Sequence, residues 1–140
     1  MDRTVYIHIA GKNYPMRMSL GAAKAITGKF GSMEKMADAM TDKQASEGKV
    51  IDTALWLLET LIRQGCAYKN LFEKDLPIPE DAPVENGKYI PLSAEELETG
   101  IGMEGIKEAM DKIMETMGKG GAREIKIKER KEDKKNGETT

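Results

Sequence analysis

Apolar residues are unevenly spread along this chain, and one stretch, Lys49 to Cys66 (KVIDTALWLLETLIRQGC), holds enough of them in helical spacing to found a core. On a 3.6-residue wheel Val50, Ile51, Ala54, Leu55, Leu57, Leu58, Leu61, Ile62 and Cys66 cover about half the circumference, wider than the stripe of an ordinary surface helix. Such a helix must be buried by more than one neighbour. At roughly 1.5–3 kcal/mol for each large aliphatic side chain, it brings on the order of 10 kcal/mol of gross transfer free energy. Trp56 projects to the opposite side, with Asp52, Glu59, Thr60 and Arg63. Two explanations stand for it: the N-terminal segment folds over it, or it anchors a partner, a role in which tryptophan is enriched.

Upstream, Val5, Ile7 and Ile9 alternate with Tyr6 and His8, Gly11-Lys12-Asn13 makes a turn, and Tyr14, Met16 and Met18 resume the alternation. This predicts a β-hairpin, which is marginal alone and must lie on helices. Pro15 cannot donate to a ladder, so its strand is expected at an edge or with that position facing outward. Ser19 is placed to cap a helix through LGAAKAITGKF, with Leu20, Ala23 and Ile26 on one side. Ser32 caps a second, which carries Met33, Met36, Ala37 and Met40 at i, i+3, i+4, i+7 spacing. That methionine stripe reads as core or as a partner groove. Thr41 to Lys49 is polar and reads as a connection or a weak helical lead-in.

Beyond Cys66, AYKNLFEKDL continues helically through Leu71 and Phe72 until Pro77 stops it. Four of the five prolines fall between Pro77 and Pro91, so 77–92 is expected to run extended over the surface as a linker. Ser93-Ala94-Glu95-Glu96 is a capping box. In the helix it opens, Leu97 and Ile101 share one side, whereas Met103, Ile106, Met110, Ile113, Met114 and Met117 share another. Gly100, Gly102 and Gly105 supply a kink between them. The predicted organisation is a hairpin-plus-helix core over 1–76, a Pro-rich linker over 77–92, an amphipathic helix over 93–118 kinked near 100–105, and a charged, disordered tail over 119–140. The fold class is α+β, mostly α.

Composition narrows the function more than the fold. The net charge is −2, and Lys119 to Thr140, with eight basic and five acidic residues, carries +3 of it against −5 on the remainder. Neither nucleic acid nor an anionic membrane is attracted by such a body. No apolar run approaches the ~18 residues of a membrane span, and the start MDRTVYIHIAGK is no signal peptide. A single cysteine forms no internal disulfide, which points to the cytosol. Cys66 lies on the apolar face of the central helix and reads as a small buried residue, and His8 as a polar residue on a strand face. One histidine and one cysteine fall short of the four ligands of a structural zinc site and of a base held beside a nucleophile. Gly100-Ile-Gly102-Met-Glu-Gly105 spells a dinucleotide fingerprint but follows a capped helix rather than a strand, so no cofactor is expected there. Nothing in the chain reads as an enzyme.

The run VYIHIAGKNYPMRMSLGAAKAITGKFGSMEKMADAM, joined by a polar spacer to ALWLLETLIRQGC, resembles the tail assembly chaperones of long-tailed phages and prophages. The shared layout is a hairpin with Gly11-Lys12 and Tyr14, a short helix anchored by Leu20, the aromatic-Gly pair Phe30-Gly31, and a long apolar helix ending near Gly65. The resemblance covers about the first half of the chain. It implies a protein of the host bacterial cytoplasm that coats the tape measure protein, recruits tail tube subunits and is absent from the finished particle. In that family a frameshift can also add a C-terminal extension, for which the region after Gly121 is the place to look.

A catalytically empty helical protein rich in methionine, with ten against two phenylalanines, suits the binding of amphipathic helices. Met103, Ile106, Met110, Ile113 and Met117, with Met33, Met36, Met40 and Trp56, are the expected partner-binding or self-association residues. Two other readings stand beside this one: a structural virion protein, such as a minor tail or head–tail connector subunit, and a small nucleic-acid-binding regulator.

Overall fold

In the computed structural model, which describes residues 3–119, the apolar stretch around Leu58 belongs to a helix longer than its hydrophobic pattern. This helix, α3, runs from Glu47 to Phe72, and its 26 residues span about 39 Å. Ser46 starts it, its hydroxyl accepting from the Lys49 N–H at 3.2 Å. That cap sits inside the stretch that reads as a loose connection. Nor does the helix end near Gly65: Gly65 is buried in its interior, under the hairpin.

Strands β1 (Val5–Ile9) and β2 (Lys12–Met16) pair antiparallel with Ile9 opposite Lys12. The turn is therefore Ala10-Gly11, both at positive φ (50° and 84°), the left-handed pair a two-residue hairpin needs. Lys12 and Asn13 belong to β2 rather than to the turn. Val5, Ile7 and Ile9 are buried, with Tyr6 and His8 facing outward. β2 is an edge strand, as Pro15 requires, yet Pro15 itself is buried because that edge lies on α3. The Arg17 N–H, just beyond the strand, donates to the Leu61 carbonyl at 3.1 Å.

Helices α1 (Leu20–Phe30) and α2 (Met33–Thr41) start at Ser19 and Ser32, whose hydroxyls accept from the Ala22 and Lys35 N–H groups. The buried face of α1 is Ala22 and Ile26, whereas Leu20 is 90% exposed. Leu20 lies about 120° around the helix from Ile26, so it does not share that face and does not anchor the helix. On α2, Met36 and Met40 are buried and Met33 packs against the core.

The Pro-rich stretch is strapped down. Asn86-Gly87, with φ of 52° and 80°, turns a second hairpin, β3 (Val84–Glu85) with β4 (Lys88–Tyr89), and Ala82, Pro83 and Leu92 are buried. The Asn70 side chain of α3 bonds both backbone groups of Tyr89, donating to its carbonyl at 3.0 Å and accepting from its N–H at 2.9 Å. On the other side, the Asn13 N–H donates to the Asp81 carbonyl at 2.8 Å.

Helix α4 (Ala94–Gly100) opens on a complete capping box between Ser93 and Glu96. A 3₁₀ turn over Met103–Gly105 separates it from α5 (Ile106–Met117), which packs on α3 and β1. One core results. Ile7, Met16, Ile26, Met36, Leu58, Leu97 and Ile113 belong to the same cluster, so 93–117 is part of the body rather than an arm beyond a linker. The fold is α+β, mostly α. Among the described residues no helix is long and apolar enough to cross a membrane. Of the expected charged tail only Lys119 is described; Ile125, Ile127 and the rest lie outside the described residues.

Candidate functional site

Where α4 gives way to α5, the glycine-rich turn holds two helix ends apart over the first half of α3 and leaves a groove of about 460 Å³. Its floor is apolar. Ile51 and Leu55 stand one turn apart on α3, Leu97 and Ile101 come from α4 and its exit, and Ile106 from the first turn of α5. Met103, carried on the 3₁₀ turn, lies at the mouth and is 70% exposed. Asp52 and Glu98, both exposed, set a negative rim. Apolar surface framed by a polar rim is the usual anatomy of a surface that takes another chain.

The residues expected at a partner surface divide sharply by burial. Met103 and Ile106 meet in this groove. Met110 is half-buried and packs against the core, as does Met33. Ile113 and Met117, with Met36 and Met40, are in the core itself. Those four are spent on holding this chain together and offer a partner nothing, so the long methionine-isoleucine stripe is not one surface. Trp56 meets Phe30 edge to face, ring centroids 5.6 Å apart, with the Lys29 Nζ 5.1 Å from its ring. The side of α3 that reads as solvated is thus covered by the end of α1, which leaves Trp56 half-buried.

Ile51, Leu55, Leu97 and Ile101 are groove residues that sequence patterning assigns to helix faces in general. The i, i+4 pairs Ile51/Leu55 and Leu97/Ile101 are visible in the sequence, but which neighbours would bury Leu97 and leave Ile51, Leu55 and Ile101 partly open is not. A second apolar strip is formed where α3 ends and the Pro-rich stretch begins, by Leu71, Phe72, Leu76 and Ile78, all at least 48% exposed. The Arg17 guanidinium lies 3.6 Å over the Tyr68 ring behind it, and Tyr68 in turn packs against Phe72 at 5.2 Å.

Burial pushes the Cys66 thiol up to about 12, which leaves it protonated and unreactive at neutral pH. His8 is exposed on β1 with its Nδ1 3.0 Å from Asn13 Oδ1. Burial also raises the Tyr14 and Tyr89 hydroxyls. For Lys69 burial alone works downward, but hydrogen bonds with Glu73 and Tyr6 outweigh it and raise the ammonium's pKa. Among the described residues no group of three or more His, Cys, Asp or Glu side chains converges to hold a metal ion. Comparison of the chain with family models, with curated proteins and with solved structures finds no match.

Proposed function

We propose that this protein is a non-catalytic tail assembly chaperone of a long-tailed phage or prophage, which holds the tape measure protein and recruits tail tube subunits in the bacterial cytoplasm. The observation that supports this reading is the groove between α3, α4 and α5, apolar in its floor, acidic at its rim and headed by the exposed Met103. An amphipathic helix with basic flanks is the complementary ligand. Its apolar face seats on Ile51, Leu55, Ile101 and Ile106, and an unbranched methionine adapts to whatever side chain meets it.

The test is calorimetric titration of the full chain with long helical fragments of the tape measure protein. Met103→Asp is expected to weaken binding about tenfold or more, equivalent to about 1.4 kcal/mol, and Leu20→Asp, on a still more exposed position of α1, to leave it unchanged. Binding that survives Met103→Asp undiminished removes the groove from the reading. Finding the chain as a stoichiometric component of purified particles replaces the chaperone with a structural virion protein.

A further inference from the structure

We propose that the apolar strip Leu71, Phe72, Leu76 and Ile78, where α3 ends, is the face through which two copies of this chain pair about a two-fold axis. The inference is independent of the proposed function, because the strip lies at the other end of α3 from the groove, Phe72 standing about 25 Å beyond Leu55 along the helix. Pairing there leaves the groove of each copy open.

The area fits a second copy. Exposed by about half to three-quarters, these four side chains offer roughly 400 Å² of apolar surface, as much as the largest patch of a typical monomer, which is often functional. A specific interface begins near 600 Å² per partner and is about 55–65% apolar, so the strip with a polar rim reaches the lower limit, where association is micromolar. Its anchor is already ordered. Phe72 packs on Tyr68, Tyr68 carries the Arg17 guanidinium at 3.6 Å, and Arg17 donates to the Thr4 hydroxyl at 2.9 Å. Ile78 stands between Pro77 and Pro79, whose rings fix the backbone around it. Groups held in place before association lose little freedom on binding.

The charges select the same occupant. Lys69 and Glu73 engage each other at 2.6 Å, whereas Lys74 and Asp75, consecutive and of opposite sign, are exposed within the strip. A second copy brings that pair in reverse order. Lys74 then faces the partner's Asp75, and Asp75 the partner's Lys74, the reciprocity that a two-fold contact requires. A helix with flanks of one sign would meet a like charge at one of the two positions. Glu73, Asp75 and Glu80 against Lys74 also disfavour an anionic lipid surface. The groove is the contrary case, since two copies paired there would set Asp52 and Glu98 against the same two acids.

The experiment is sedimentation of the full chain from about 1 μM to about 500 μM. The mass is expected to rise from that of one chain to that of two. Phe72→Asp should hold it at one chain throughout, with Trp56 fluorescence unchanged to report an intact fold, and Met103→Asp should leave the dimer as it is. Lys74→Asp and Asp75→Lys should each weaken pairing about tenfold. The double variant K74D/D75K restores it, and so does mixing the two single variants, because each then meets its opposite. A parent chain that stays single at every concentration overturns the proposal, including where the strip instead takes a partner helix or a vesicle. A dimer that survives Phe72→Asp, or is lost in Met103→Asp, places the contact elsewhere and overturns it as well. Failure of both charge exchanges to restore pairing removes the two-fold arrangement and with it the proposal. A dimer that binds no tape measure fragment leaves this inference standing and removes the proposed function; a fragment bound by a chain that never pairs does the reverse.

Discussion

Gly65 of α3 lies directly against the backbone of Pro15: a β-carbon added to it would overlap the Pro15 carbonyl and stand 2.8 Å from the Met16 nitrogen. The atoms in the way are backbone, held by the Arg17–Leu61 hydrogen bond on one side and the β1 pairing on the other, so none of them can swing aside. Alanine gains about 1 kcal/mol of helix propensity over glycine. Overpacking a closed contact costs about 1–3 kcal/mol and more where nothing yields. Gly65→Ala is therefore expected to lose at least about 2 kcal/mol, read as a lower urea midpoint at unchanged slope. Gly28→Ala in α1, where an added β-carbon meets nothing within 4 Å, should instead gain up to about 1 kcal/mol.

The side-chain amide of Asn70 acts as a strand for Tyr89, satisfying its N–H and carbonyl at once. Asn70→Ala leaves two backbone groups to find other partners, and the cost of an unmade bond is about 1–3 kcal/mol. The Tyr89 amide should then exchange with solvent at least tenfold faster than in the parent, whereas the Ile7 amide, in the other hairpin, should slow or quicken only with global stability. Equal changes at both sites would mean that Asn70 does not hold the second hairpin specifically.

Much of this architecture is legible from local chemistry, because caps and turns are local. Ser19, Ser32 and the Ser93/Glu96 box each stand where a hydroxyl meets orphan N–H groups, and each begins a helix. Asn86-Gly87 carries an equally local hairpin signal, obscured by the prolines around it. What patterning does not carry is which neighbour arrives. Met36 and Met103 are alike on a helical wheel, yet one is 3% and the other 70% exposed, since α3 covers the first and the turn after α4 lifts the second. Leu20 looks like an anchor until Ala22 and Ile26 are seen to set the buried face. Gly65 reads as a helix end and is instead a close approach, a distinction made only by Pro15, fifty positions away. The groove was half legible for the same reason: Met103 and Ile106 stood out, whereas Ile51 and Leu55 became binding candidates only once α4 and α5 were placed.

Alkaline pH should unfold this protein through groups that keep their protons longer when folded. The Cys66 thiol has an ordinary value of 9.0 and is pushed up to about 12 by burial. Below pH 9 both states hold the proton and the contribution is complete; between 9 and 12 the unfolded chain releases it and the folded chain does not, so stability falls as pH rises. The slope from one such group is about 1.4 kcal/mol per pH unit. Tyr14, Tyr89 and Lys69 are raised as well and act in the same direction. Urea midpoints across this window should decline steeply in the parent and less steeply in Cys66→Ala, whatever that variant loses at neutral pH. Parallel declines would show that Cys66 is not deprotonated on unfolding.

Ile113 decides whether the second half of the chain is an arm or part of the body. Its side chain is fully buried where α5 crosses α3, and one turn on, the buried Thr116 hydroxyl lies 3.9 Å from the Met16 sulfur of β2. Met16 packs in the same cluster as Leu58 and Ile26, whose neighbours Phe30 and Trp56 report from the opposite side of α3. Removing the Ile113 side chain to alanine should cost about 2–5 kcal/mol, and that loss should reach Trp56. Fluorescence of Trp56 and far-ultraviolet helicity are then expected to fall together in urea, at one lowered midpoint, because a shared core unfolds as one unit. An independent arm would behave otherwise, losing helicity early while Trp56 kept the parent's midpoint. By the same logic Ile113→Asp places an unpaired carboxylate in the core and unfolds the chain, which is why a binding defect in that variant would say nothing about a partner and Met103, exposed and dispensable to the core, is the position that can.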